Sequence, residues 1–311
     1  MRAALLLALA VACLPAAAAT QVLVVGGLGG EAQFEERFGE WAGRIADASV
    51  SATGDRDSVQ RLAGDAARRE AIEAALRGAA SKLKAGDQFV LVLIGHGSHD
   101  GNEYRLNIPG PDITGTQLAA LLDQIPATVP QLVVNATSAS GAVAERWARP
   151  HRVVITATRS AGERNATRFG GFWAESLTSS EADRDKDGTL TALEAYEFAN
   201  RRVADAYKAD AAIATELARL VGAEPGRFVV ARLGDAALFA SDRELGALRG
   251  QQGEIETRLA AVREQKAQLT EDQYYDRLEP VLVELARLGA RIDARLAALG
   301  AAREGDNRAP R

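Results

Sequence analysis

Three stretches of this 311-residue chain combine residue types and spacings that could do chemistry. The first is DRDKDGTLTALE, residues 183–194. Asp183, Asp185 and Asp187 fall at positions 1, 3 and 5 of a twelve-residue frame, which places hard carboxylate donors on one side of a tightly wound loop. Gly188 permits the sharp turn at position 6, and Thr189 offers its backbone carbonyl at position 7. Thr191 stands at position 9, where a water often intervenes, and Glu194 at position 12 can bind bidentately. Leu190 supplies an apolar anchor. This is the EF-hand pattern, and it predicts Ca2+ as a cofactor held by Asp183, Asp185, Asp187, Thr189, Thr191 and Glu194. The plainer alternative is a solvated acidic turn capping a helix; the number of matching positions argues against it. FGGFWAESLTSSEA reads as an entering helix and ALEAYEFANRRVADAY as an exiting one. Paired loops make sensors, so one loop predicts a structural ion.

The second and third stretches are FVLVLIGHGSHDG (89–101) and LVVNATSASG (132–141). Each is an apolar run that ends in polar, small residues: His96 between glycines in one, Thr137, Ser138 and Ser140 in the other. Strand ends are where open α/β sheets place their chemistry. A histidine base near a hydroxyl or thiol is the arrangement for acyl transfer.

The elements that must position these residues follow from periodicity. QVLVVGG (21–27), QFVLVLIG (88–95), QLVVNAT (131–137) and RVVITAT (152–158) are nearly unbroken apolar runs, as expected of strands buried on both faces of a parallel sheet. Between them EAQFEERFGEWAGRIADA, DAARREAIEAALRGAASKLKAG, TGTQLAALLDQI and GAVAERWA show helical spacing. Strand and helix in alternation predict an α/β fold, an open, mostly parallel sheet with helices on both faces. RFVVARLG (227–234) reads as a further short strand, and ASVSATGD as an indistinct one. Beyond Ala236 the composition turns to Ala, Leu, Arg, Glu and Gln. Leu245, Leu248, Gln252, Ile255, Leu259, Val262, Lys266 and Leu269 form a coiled-coil-like seam, and Thr270 with Gln273 signs a capping box for a second helix. Pro280 is expected to kink or restart that helix. An antiparallel helical hairpin over 242–300 follows, with a disordered tail at 301–311. The hairpin either packs on the domain or serves oligomerisation or a partner.

Residues 1–19 read as a secretory signal: Arg2, the apolar run AALLLALAVA, and small residues before Thr20. The sole cysteine, Cys13, lies inside it, so cleavage after Ala19 leaves a mature chain with no thiol. A lipoprotein box at AVAC, with Cys13 acylated, is the lesser alternative. Either way the chain is exported, periplasmic or secreted. Net charge of −5 with interspersed signs, and only three Trp and five Tyr, exclude a nucleic-acid surface. No later run has the length of a membrane span. His99 and His151 read as surface histidines. The sequons at Asn135 and Asn165 matter only in a glycosylating pathway.

The two strand ends, in this order, resemble the legumain and caspase-like family of cysteine peptidases, in which one strand ends in His-Gly and the next in Ala-Cys-x-Ser-Gly. The resemblance spans residues 21–235 and is nearest to bacterial legumain-like proteins. It includes VVGGLGGE, RVVITATRS and an embedded calcium loop. It implies a caspase-like domain over 20–235, with His96 as the catalytic histidine, and it puts Ser138 where the cysteine belongs. That departure matters chemically. A thiol is partly ionised near neutrality, whereas a serine hydroxyl needs a closely oriented base, a third group such as Asp100, and an oxyanion hole. Two functions follow: a non-catalytic pseudopeptidase scaffold or binding module for a protein or peptide partner, with possible oligomerisation through 242–300; or a serine hydrolase using Ser138 and His96. A dinucleotide fingerprint at GLGGEA (27–32) is disfavoured because no acid is placed to hold a ribose, and an α/β-hydrolase elbow because Ala136 precedes Ser138 where glycine is required.

Overall fold

The structure, a computed structural model, describes residues 19–234, 238 and 242–306. The expected signal, Cys13 included, lies outside the described residues apart from Ala19. Along the chain, β1 (Thr20–Gly26) leads to α1 (Ala32–Thr53), β2 (Val59–Ala63), α2 (Arg69–Lys82) and β3 (Gln88–Ile94). A meander of β4 (Gly97–His99), β5 (Tyr104–Leu106) and β6 (Ile113–Thr114) follows, then α3 (Gly115–Leu122), β7 (Gln131–Asn135), α4 (Ala144–Trp147) and β8 (Arg152–Thr156). α5 (Phe169–Ser176), β9 (Thr189–Thr191), α6 (Ala192–Ala209), β10 (Arg219–Val221) and β11 (Val229–Arg232) complete the α/β part.

The main sheet has the order β10-β8-β7-β3-β1-β2, parallel throughout except for antiparallel β10 at one edge. Register aligns Val24, Val92, Val134 and Ile155 across four strands. Side chains alternate between faces along a strand, so this row and its i±2 neighbours face one way. They pack with Phe38, Ile45, Trp173 and Phe198 of α1, α5 and α6. The intervening row, Leu23, Leu91, Val133 and Val154, packs with Ile72, Leu76, Leu118 and Trp147 of α2, α3 and α4. Burial on both faces is why these strands carry unbroken apolar runs. Each fully buried Ile, Leu or Phe contributes about 1.5–3 kcal/mol relative to exposure.

Three expectations are corrected and one is refined. ASVSATGD is no strand: α1 continues its inward stripe through Ile45, Ala46 and Ser49 and ends at Gly54, which takes φ 68° and donates its N–H to Val50 O. The second strand is instead β2, VQRLA, an edge strand in which Leu62 is the one buried residue, so it left no apolar run to read. RFVVARLG yields β11, but this pairs with β9 in a separate two-stranded sheet; the sheet's last strand is the short β10. Pro280 does not restart its helix, which runs on as Glu271–Asp306, and the hairpin passes the expected boundary at 300. Pro280 is exposed, so the backbone carbonyl freed by its missing N–H can be met by water.

The two C-terminal helices, Arg243–Glu264 and Glu271–Asp306, form an antiparallel hairpin. Arg295, late in the second arm, donates to Asp242, the N-cap of the first, at 2.7 Å. Leu245, Leu248, Ile255 and Leu259 are buried on the first arm, and Leu288 and Ile292 on the second. The seam is therefore covered by the hairpin's own second arm. No helix among the described residues is long and apolar enough to cross a membrane.

Candidate functional site

The chain leaves β1 toward one side of the sheet and returns with β3 on the other, so the carboxyl ends of β1 and β3 flank the crevice where open α/β sheets bind ligands. Here the loop after β1 and the turn after β3 are stitched together. Gly27 N–H donates to Ile94 O (2.8 Å), Leu28 N–H to Asn107 O (2.9 Å) and Asn107 N–H to His96 O (3.1 Å). A Cβ on Gly27 would lie 2.5 Å from the Asn107 oxygen, so this close approach requires glycine.

His96 sits beside α1, edge-on to the rings of Phe34 (5.0 Å) and Phe38 (5.1 Å). Its Nε2 donates to the Gly29 carbonyl at 3.1 Å. A carbonyl can only accept, so the neutral ring carries its lone pair on Nδ1. Gly29 is itself held: its N–H donates to Glu35 Oε2 at 2.5 Å. That amide, which a dinucleotide phosphate would need, is already engaged by an anion.

Across the crevice, β7 ends in Asn135, and Thr137 beyond it turns toward the meander. Thr137 Oγ1 lies 2.6 Å from Tyr104 Oη and donates to Asn135 Oδ1 at 2.8 Å. Burial pushes the Tyr104 phenol up to about 12, against the hydrogen bonds with Thr137 and Asn135, so it remains a neutral donor. Ser138 follows at 1% exposure, and its Oγ is buried with no hydrogen-bond partner. Ala139 then takes a left-handed φ of 55° and donates its N–H to Glu163 O. The His-Gly turn does lie against this stretch. A Cβ on Gly97 would stand 2.7 Å from Thr137 Oγ1 and from Tyr104 Cε2, and nearer still to the Ser138 carbonyl oxygen.

The backbone thus brings His96-Gly97 and Thr137-Ser138 together, while no hydrogen bond joins the His96 ring to the Ser138 hydroxyl. Asp100 does not orient His96, contrary to the expectation from sequence. It lies in the exposed turn after β4, paired with Arg105 at 2.5 Å and accepting the N–H groups of Asn102 and Glu103. Those partners, Arg105 first, hold its carboxyl well below the usual range. His99 Nδ1 accepts the Gly101 N–H, a local turn contact, and His151 stands in the turn before β8.

A cation that shares the aromatic neighbours of His96 was missed in the sequence. Arg37 of α1 packs its guanidinium over Phe34 (4.7 Å) and Trp41 (5.1 Å), with a buried Nε that has no partner. Burial, then Arg168, lowers its pKa, and Glu216 opposes this. Glu216 is 2% exposed, caps α5 by accepting the N–H of Arg168 (2.7 Å) and Phe169 (3.2 Å), and is pushed upward by burial. The helix-like spacing of α1 showed only its apolar stripe; nothing in it marked Arg37 as part of this aromatic cluster.

The acidic loop wraps as its spacing requires. Asp183 Oδ2 accepts the Gly188 N–H (3.0 Å), Asp185 Oδ1 the Asp187 N–H (3.2 Å) and Asp187 Oδ1 the Thr189 N–H (2.6 Å). Lys186 and Gly188 take left-handed φ values of 63° and 79°. One carboxylate oxygen from each of Asp183, Asp185 and Asp187 falls within 4.8 Å of the others. Asp183 is 5% exposed, and its Oδ1 is buried without a partner. A buried, unpaired carboxylate oxygen among two more carboxylates fits a hard cation, which would satisfy all three. Thr191 caps α6 and Glu194 completes the capping box, its Oε1 reaching back to the Arg184 N–H at 3.0 Å. The entering helix is shorter than expected: α5 stops at Ser176, and turns carry the chain to Asp183.

No family model matches the chain, and no curated protein matches it. Among solved structures, it is similar to protein GSU0716 from Geobacter sulfurreducens, at 14% identity and a TM-score of 0.46, over 65% of this chain and 92% of that one. It is likewise similar to caspase-1 from Spodoptera frugiperda, at 13% identity and a TM-score of 0.47, over 66% and 86% of the two chains.

Proposed function

We propose that this chain is an exported, caspase-like pseudopeptidase: a scaffold or binding module for a protein or peptide partner, stabilised by a structural calcium ion. The observation that carries the non-catalytic reading is the state of Ser138. It occupies the position the resemblance reserves for cysteine, yet its hydroxyl is buried, unpaired and not bonded to the His96 ring. A serine hydroxyl that no base accepts a hydrogen bond from is not activated for attack. Residues 14–311 contain no cysteine to replace it. In the acidic loop, Asp183, Asp185 and Asp187 would hold the calcium through side chains, with the Thr189 carbonyl, Thr191 and Glu194 completing the set. Bound there, the ion supplies charge neutralisation and cross-linking of the loop.

The serine hydrolase remains the second reading, favoured by the contact of Gly97 with the Ser138 carbonyl and by the left-handed turn at Ala139. A serine-directed phosphonate probe separates the two. Under the scaffold reading purified protein stays unlabelled with calcium present or chelated. Stoichiometric labelling that disappears in Ser138→Ala would sink it.

A further inference from the structure

The acidic loop carries a short strand of its own, β9. Thr191, Leu190 and Thr189 stand opposite Val229, Ala231 and Arg232 of β11, with a bulge between Val229 and Ala231. Two further bonds close the ends of this ribbon: Ala192 N–H donates to Phe228 O, and Leu233 N–H to Gly188 O, both at 2.8 Å. Gly188 is held from both sides, its carbonyl by Leu233 and its N–H by the carboxylate of Asp183 at 3.0 Å. β11 is also the last strand before residues 235–241 lead to the C-terminal hairpin.

Three carboxylates within 4.8 Å repel one another, and one keeps a buried oxygen without a partner. Without a cation, this makes the loop a low-stability part of the domain, and the ribbon it builds shares that weakness. A bound cation reverses the sign of the local electrostatics and fixes Thr189 and Thr191, which are at once candidate ligands and β9 residues. Whatever stabilises β9 in this way stabilises its pairing with β11.

We infer that the acidic loop is a calcium-dependent latch on β11, so that calcium sets how firmly the root of the C-terminal hairpin is fastened to the α/β domain. This rests on the calcium reading above. Linkage makes the coupling reciprocal: if calcium favours the paired ribbon by some factor, loss of the pairing must lower calcium affinity by that same factor, although β11 supplies no ligand.

The test is hydrogen exchange on the full chain, in EGTA and in millimolar calcium, with terbium luminescence and calorimetry as independent measures of occupancy. Calcium is expected to slow exchange of the Ala231 and Leu233 amides by about tenfold, a coupling within the usual range. Peptides covering β1 and β3 should be unchanged. Asp183→Asn should abolish both binding and protection. Leu233→Pro removes the N–H that Gly188 accepts while leaving every candidate ligand intact, and it should loosen calcium binding about tenfold. Unchanged β1 and β3 exchange in that variant will show that the domain is still folded. Calcium binding with no protection at 228–234, or with full affinity in Leu233→Pro, overturns the latch and leaves the calcium reading standing. Absence of any terbium or calcium binding overturns both.

Discussion

Replacing Gly97 by alanine tests whether the two strand ends meet as described. The added methyl would sit 2.7 Å from Thr137 Oγ1 and Tyr104 Cε2 and closer still to the Ser138 carbonyl oxygen. None of these walls can yield cheaply. Tyr104, Thr137 and Ser138 are all buried, the tyrosine is pinned by Thr137 and Asn135, and the carbonyl is backbone. Overpacking costs typically 1–3 kcal/mol, and three immovable contacts put Gly97→Ala at about 3 kcal/mol. For a domain of this size that is roughly a 6–12 °C fall in melting temperature. Gly64→Ala is the control: it has the left-handed φ of 55° but no atom within 4 Å of the new methyl, so it should cost only about 1 kcal/mol. Equilibrium urea unfolding measures both. If Gly97→Ala costs no more than Gly64→Ala, the His-Gly turn is not packed on Thr137-Ser138, and the shared site dissolves.

Ser138→Ala removes a buried hydroxyl without a partner, so stability should hold or rise by about 1–2 kcal/mol in urea titrations; a loss beyond 1 kcal/mol would reveal a bond to that hydroxyl. Ser138→Cys should leave a thiol that iodoacetamide alkylates only after unfolding, and rapid native-state alkylation would point back to a reactive site. Calcium at a hundredfold excess over its dissociation constant should add about 2.7 kcal/mol, visible as a melting shift absent in Asp183→Asn. Glu216 predicts a pH dependence of definite sign. Burial raises its carboxyl above the reference value of 4.5 in the folded state, so its contribution is fully present below that pH and is lost as pH climbs through the folded value. Stability of the wild type measured from pH 4 upward should therefore fall relative to Glu216→Gln across that window, and parallel curves would contradict the shift.

The four central strands were legible because burial on both faces leaves an unbroken apolar signature, as in QFVLVLIG and RVVITAT. The edges were not. β2 buries a single leucine, and β10 is three partly exposed residues, so neither writes a pattern. RFVVARLG looked like a sheet strand because its composition is that of one; its partner, β9, lies inside the acidic loop, and pairing across about forty residues leaves no local mark. Pro280 shows the same limit: a local rule marks an interior proline as a place to restart, yet the helix continues through it at an exposed position.

By itself the sequence determined the chemistry available: a His-Gly strand end, hydroxyls where a resemblance expects a thiol, three aspartates at EF-hand spacing, and no cysteine beyond the first nineteen residues. Tertiary structure decided what those groups can do. It turned Nε2 of His96 to the Gly29 carbonyl, sealed the Ser138 hydroxyl without a partner, paired Asp100 with Arg105, and stacked Arg37 on Phe34, a ring that also meets the histidine. It also gave the acidic loop a strand partner that leads to the hairpin. Residue identity and spacing fix which protons and charges exist. Orientation, desolvation and the choice of hydrogen-bond partner arise only when distant segments close on one another.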